Sequence, residues 1–245
     1  MPRYKITFSY DGSNFHGYQV QPKLRTIQGE LEKSVSYLNR KTKTSVQSSG
    51  RTDGGVHALA QVAHFDLSIE IPEYKIREGL NTLLPNDIHI IKVEKVTDKF
   101  HARFSSKKKE YIYKINLGEY NPTMRNYEYQ YGRELDILKM LEAIHSFEGT
   151  HDFTSFVSSE DMREDKVRTI YKTSIKKNKD ILTISFQADG FMKYQVRNMV
   201  GILIEIGNGK KEVQDVERIL NLRNRETSIK IAPAEGLYLR KVWYG

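Results

Sequence analysis

Polar and apolar residues alternate without a break from Arg3 to Tyr10. Tyr4, Ile6, Phe8 and Tyr10 fall on one side, and Arg3, Lys5, Thr7 and Ser9 on the other. That period of two marks a half-buried strand. A turn-rich, aromatic stretch follows at 11–18. The period then changes. Ile27, Leu31, Val35 and Leu38 form a stripe at helical spacing behind Thr26, a residue type that caps helix N-termini. Leu59 to Leu67 reads as a strand, Ile76 to Leu84 as a short helix ended by Pro85, and Ile88 to Val96 as a strand. The first ~100 residues thus run strand, helix, strand, helix, strand.

A second series resembles the first in element order. Glu110 to Leu117 alternates, with Tyr111, Tyr113, Ile115 and Leu117 on one face. Leu135, Leu138, Leu141 and Ile144 mark a helix that stops near Gly149, and His151 to Phe156 forms a short aromatic loop or strand. Val167 to Ile175 and Ile181 to Gln187 read as a hairpin turning at Lys177-Asn178-Lys179-Asp180. Met192 to Ile206 is amphipathic and ends at Gly207-Asn208-Gly209. Val213 to Leu220 reads as a helix, and Leu237 to Trp243 as a closing strand. Clean alternation predicts antiparallel sheets with one open face. The expected fold is α+β: two ferredoxin-like, RRM-like α/β halves at 1–104 and 105–245, mixed but mostly antiparallel, with helices on one side of the sheets.

Composition narrows the setting. Of 245 residues, 38% are hydrophobic and 29% charged, enough apolar content for packed cores. Cysteine is absent, which excludes disulfides and thiolate ligands and fits a reducing compartment. The longest apolar run, Met199 to Ile206, is interrupted by Glu205 and is too short to span a bilayer. The first residues read as a strand and not as a signal peptide. A soluble cytoplasmic protein with no membrane partner is expected. The net charge is +8, with basic clusters at Arg40-Lys41-Lys43, Lys107-Lys108-Lys109, Lys176-Lys177-Lys179, Lys210-Lys211 and Arg223-Arg225. Fifteen tyrosines are interleaved with them. Phosphate neutralisation combined with aromatic stacking is the chemistry of RNA binding.

Candidate chemistry is sparse. The seven histidines are scattered, and His57 with His64 is no ligand spacing. There is no phosphate loop, no GxGxxG, and no serine or cysteine nucleophile motif, so no cofactor and no metal are expected. Carboxylates beside arginine remain. Ser49-Gly50-Arg51-Thr52-Asp53-Gly54-Gly55-Val56-His57-Ala58 presents Arg51 and Asp53 among three glycines, whose backbone turns sharply and permits close approach. Taken alone, this stretch reads more readily as a glycine turn with two solvated charges. Asp11 fits a turn, Asp152 fits a cap or Asx-turn, and Arg197 fits an exposed helix arginine.

In company with other blocks, the stretch resembles the GRTD-x-GVHA signature of the TruA family of tRNA pseudouridine synthases. Tyr4 to Tyr18 resembles the family opening, with Tyr-Asp-Gly and Gly-Tyr-Gln elements. Lys109-Glu110-Tyr111-Ile112-Tyr113 resembles the Tyr-x-Tyr strand. Gly149-Thr150-His151-Asp152-Phe153, Arg168-Thr169-Ile170, Asp189-Gly190-Phe191, Val196-Arg197-Asn198-Met199-Val200-Gly201 and Ala232-Pro233-x-x-Gly236-Leu237-Tyr238-Leu239 follow in order.

The resemblance implies two α/β halves related by a pseudo-twofold, and a homodimer with positively charged clefts. It implies isomerisation of uridine to pseudouridine at tRNA positions 38–40, in the anticodon stem-loop. Asp53 would be the catalytic aspartate. Arg51 would bind RNA and help extrude the base, Tyr111 would stack on the uracil, and Arg197 would pair with the carboxylate. Two departures stand out: Gly54 where alanine is usual, and Met192-Lys193-Tyr194-Gln195 where the family commonly has a leucine, an aromatic and a histidine before a hydrophobic residue. The alternative is a non-catalytic tRNA-binding or tRNA-folding protein of the same fold.

Overall fold

The eight alternating residues form β1 (Arg3–Tyr10), with Tyr4, Ile6 and Phe8 wholly buried and the intervening positions half-buried. The computed structural model describes residues 1–224 and 229–245, so Arg225 of the last basic cluster lies outside the described residues. After β1 come α1 (Ile27–Leu38), β2 (Gln47–Ser48), β3 (His57–Asp66), α2 (Glu73–Leu83), β4 (Ile88–Val96), β5 (Ser106–Asn116) and β6 (Tyr129–Gln130). Then follow α3 (Ile137–Ile144), β7 (Gly149–Asp152), β8 (Val167–Asn178), β9 (Ile181–Ala188), α4 (Gln195–Gly207), α5 (Asp215–Leu222) and β10 (Leu237–Tyr244). The fold is α+β and its pairings are mostly antiparallel. The chain divides into two units, one of residues 1–107 with 238–245 and one of residues 108–237.

In the first unit β1 is central, with β3 and β4 antiparallel on its two sides. β2 adds to the far edge of β3 through Gln47 and Ser48, so the order β4-β1-β3-β2 is the ferredoxin-like one. Farther along β3, β10 pairs in parallel, Tyr238 opposite His57 and Leu239 opposite Ala58. Thr26 caps α1 as its spacing predicts, its hydroxyl accepting the Gly29 N–H at 3.3 Å. The stripe Ile27, Leu31 and Val35 is buried, as are Ile76 and Leu80 of α2. Each such side chain contributes about 1.5–3 kcal/mol relative to exposure. The register that places Arg3 opposite Asp66 also joins them by a two-pronged ion pair, both bonds 2.8 Å.

In the second unit β5, β9, β8 and β7 form an antiparallel sheet in that order, and the short β6 runs parallel to β5. The expected hairpin is β8–β9, turning through Lys179 in a left-handed conformation (φ 52°). The apolar run that is too short for a bilayer is the buried side of α4, where Met199, Val200, Ile202, Leu203 and Ile206 have no exposure. No helix among the described residues is long and apolar enough to cross a membrane.

The expected helix stripe holds in part: Leu135 and Ile144 are buried, Leu141 is half-buried and Leu138 is exposed. Asp136 caps α3, accepting the Lys139 N–H at 3.0 Å, which leaves Leu135 ahead of the helix. The buried set is Met140, Ala143 and Ile144, whereas Leu138 is 80% exposed.

Candidate active site

The glycine stretch bridges β2 and β3 of the first unit, and its neighbours pin it residue by residue. Thr52 is held twice. Its hydroxyl pairs with the Tyr10 hydroxyl at 2.7 Å, and its carbonyl accepts the Tyr18 N–H at 3.0 Å. Tyr10 sits there because the β1 alternation turns it inward. Burial raises the Tyr10 and Tyr18 hydroxyls above the ordinary phenol range, so both are neutral structural groups near neutral pH. On the N-terminal side, the carbonyl of Gly50 accepts from Gln61 Nε2 at 3.0 Å and from the Ser48 hydroxyl at 2.9 Å. On the C-terminal side, the Val56 N–H closes a turn on the Asp53 carbonyl at 3.2 Å. Gly55 takes φ 79°, a conformation that disfavours any side chain. Between these anchors Arg51 is exposed and Asp53 is half-buried.

His57 and Asp11 support the loop from below. His57 is 2% exposed, its ring stacks on Tyr238 at 4.7 Å, and its Nδ1 accepts the Gly12 N–H at 3.1 Å. A Cβ on Gly12 would lie 2.0 Å from the Val56 carbonyl oxygen, so the 11–18 segment can dock on the loop only through glycine. Asp11 lies in the expected turn, which is an Asx-turn, its Oδ1 accepting the Ser13 N–H at 2.9 Å and hydroxyl at 2.6 Å. Asp152 does the same with Thr154, at 2.9 and 2.6 Å. Both alternative carboxylates are therefore committed to turns, whereas Asp53 is carried by a loop that others hold.

Tyr111 and Arg197 belong to the second unit. Tyr111, on β5, is 7% exposed and meets Phe191 edge-to-face at 5.2 Å. Arg197, in the first turn of α4, is half-buried. Its Nε donates to the Ala232 carbonyl at 2.7 Å, while the Ala232 N–H donates to the Arg197 carbonyl at 3.1 Å. It is therefore an anchored side chain and not the loosely exposed helix arginine that its sequence context suggests. The Tyr113 hydroxyl donates to the Pro233 carbonyl at 2.8 Å, and Gly236 lies so close to Tyr113 that a Cβ would approach its ring carbon to 2.7 Å. The Ala232 to Gly236 block is thus the partner that Arg197 and Tyr113 hold.

Sequence reasoning missed two contributors. One is the pair Tyr10 and Tyr18 at Thr52; the inward phase of β1 pointed to Tyr10. The other is Tyr194, which precedes α4 with φ 65° and carries its ring 5.2 Å from the Arg197 guanidinium carbon. Among the described residues, no group of three His, Asp or Glu side chains is placed to hold a metal ion.

A family model described as tRNA pseudouridine synthase matches residues 6–105 and 143–245. A protein named tRNA pseudouridine synthase A from Oceanobacillus iheyensis is 46% identical over 247 residues, covering 100% of this chain and 97% of the relative. One of the same name from Latilactobacillus sakei is 42% identical over 245 residues, covering 99% and 98%. A Bacillus cereus protein named tRNA pseudouridine synthase A 1 is 45% identical, covering 100% and 99%.

Proposed function

The chain belongs to the tRNA pseudouridine synthase family, and we propose that it isomerises uridine to pseudouridine in the anticodon stem-loop of tRNA, at positions 38–40, with Asp53 carrying the reaction. The observation that carries this reading is the half-buried Asp53 carboxylate on a loop pinned at Thr52, Gly50 and Val56. A group held in one geometry lowers a barrier without reorganising.

The reaction breaks the N1–C1′ glycosidic bond, turns the uracil, and joins C5 to C1′. The C5 hydrogen leaves as a proton and N1 ends protonated, so no electron is gained or lost. The base must first leave its stack, which costs a few kcal/mol. Arg51, exposed beside the carboxylate, suits the displaced phosphate backbone. On this reading Tyr111 is assigned the aromatic surface for the uracil and Arg197 the guanidinium that pairs with the carboxylate. An ionised carboxylate serves as the nucleophile or the base in the first step. A cytoplasmic homodimer is the setting this reading implies.

The test uses tRNA tritiated at uridine C5. Asp53→Ala is expected to abolish tritium release while keeping tRNA affinity within a few-fold of the parent. Full release from that variant would remove Asp53 from the mechanism. Mapping the modified uridines in the product tRNA checks the anticodon stem-loop assignment separately.

A further inference from the structure

Tyr194 occupies a position that penalises it. Its φ of 65° and ψ of −4° place it in the left-handed region, where a Cβ crowds the following carbonyl. Glycine fits such a corner at no steric cost, and asparagine tolerates it. The surrounding bonds impose the corner. The Met192 N–H donates to Gln195 Oε1 at 3.0 Å, the Gln195 N–H to the Met192 carbonyl at 3.1 Å, and the Asn198 N–H to the Tyr194 carbonyl at 2.9 Å. The chain must therefore reverse sharply just before α4. A bulky aromatic kept at such a corner indicates that its ring has a task.

The ring's surroundings define that task. The Arg197 guanidinium carbon lies 5.2 Å from the ring centroid, and the Lys193 ammonium lies 5.1 Å from it. Both distances are within cation–π range. Lys193 is tied outward to Glu160 at 2.5 Å, whereas Arg197 is tied back to the Ala232 carbonyl. The Nε bond and the ring on the guanidinium face both act on Arg197, and each restraint narrows the rotamers that its long side chain samples.

We propose that Tyr194 is a positioning residue for Arg197: its strained backbone delivers a ring that fixes the guanidinium in the orientation the reaction uses. This rests on the role assigned above to Arg197. Tyr194 stands within the segment where this chain departs from the family's usual pattern.

The experiment measures kcat and KM for tRNA pseudouridylation, together with thermal stability, for Tyr194→Gly, Tyr194→Asn and Tyr194→Phe, alone and combined with Arg197→Ala. Tyr194→Gly and Tyr194→Asn relieve the corner, so their melting temperatures should equal or exceed the parent's. Their kcat should fall about tenfold, the size of one cation–π contact in a partly desolvated site, with little change in KM. Tyr194→Phe should restore kcat. In the Arg197→Ala background Tyr194→Gly should have no further effect. Unchanged kcat in Tyr194→Gly while Arg197→Ala is inactive would overturn the positioning role alone. Full activity in Arg197→Ala would instead overturn the underlying assignment of Arg197. A loss in Tyr194→Phe equal to that in Tyr194→Gly would assign the effect to the hydroxyl and also overturn the proposal.

Discussion

Two glycines at the candidate site make opposite demands, although both sit in the same motif-bearing region. At Gly12 the Val56 carbonyl oxygen stands 2.0 Å from where a Cβ would be, and backbone cannot yield as a side-chain tip can. Gly12→Ala is therefore expected to destabilise the protein by about 1–3 kcal/mol or more, as overpacking does. At Gly54 the nearest atom to a Cβ is the Phe15 carbonyl oxygen at 3.4 Å, an ordinary contact, and the backbone lies outside the left-handed region. Gly54→Ala is expected to stabilise by about 0.4–1 kcal/mol, because alanine restricts the unfolded chain more than glycine does. Thermal melts of the two variants check both, and a lower melting temperature for Gly54→Ala would contradict the second. The departure from the usual family residue at 54 is thus sterically neutral. The motif singles out Arg51 and Asp53 as candidates by type and spacing. It could not reveal Tyr194, because a left-handed φ in a non-glycine residue leaves no mark in hydropathy or spacing.

At the scale of elements, the strands were the most legible part of the sequence. β1 matches its alternation residue for residue, because it has one buried face and one half-open face, whereas β4 loses the period at Ile91 and Lys92, both exposed, where its register with β1 shifts. The failures have physical causes. β2 and β6 have two residues each, too few to display a period. In α3 the stripe was right at Ile144 and wrong at Leu138, because Met140 and Ala143 share the buried face with Ile144. β3 shows how a strand also carries buried polar groups. His64 is 4% exposed, and its Nδ1 accepts the Ala102 N–H at 3.1 Å, tying β3 to the segment after β4. Burial, followed by the neighbouring His101 and Arg3 charges, pushes its pKa down to about 4 from 6.5. The unfolded chain takes up a proton near pH 6.5 and the folded chain only near 4, so protons favour unfolding throughout that window. Stability is expected to fall as pH drops from 6.5 to 4, with this one histidine accounting for up to about 3 kcal/mol. Denaturant midpoints at pH 7 and 4.5 measure the drop, and His64→Gln should shrink it. An unaltered drop in that variant would assign the acid sensitivity to other groups.

Over the whole molecule, positive charge outweighs any single contact in drawing a partner. A net +8 spread over both parts of the sequence favours a polyanion without favouring any one base. Affinity for tRNA should therefore be steeply salt-dependent, whereas kcat at saturating tRNA should not. A footprint of about six phosphates predicts roughly a thousandfold weakening between 50 and 200 mM salt. Fluorescence anisotropy with labelled tRNA at those two concentrations reads it directly; a change below about tenfold would imply that few phosphates are contacted. Amino-acid composition made this charge legible, and alternation made the α+β class legible. The parallel pairing of β10 beside His57 was not legible, because nothing in a sequence marks which distant strand will close an edge. That pairing has a consequence for the protein as it is being made. A ribosome working from the N-terminus delivers the Asp53 loop roughly 180 residues before it delivers Tyr238 and Leu239, an interval on the order of 10–40 s. For that time the loop's lower edge is bare and His57 lacks the ring it stacks on. An mRNA cut short upstream of residue 237 would yield a polypeptide with its carboxylate present and its scaffold unfinished, so completion of the loop's support waits on the synthesis of β10.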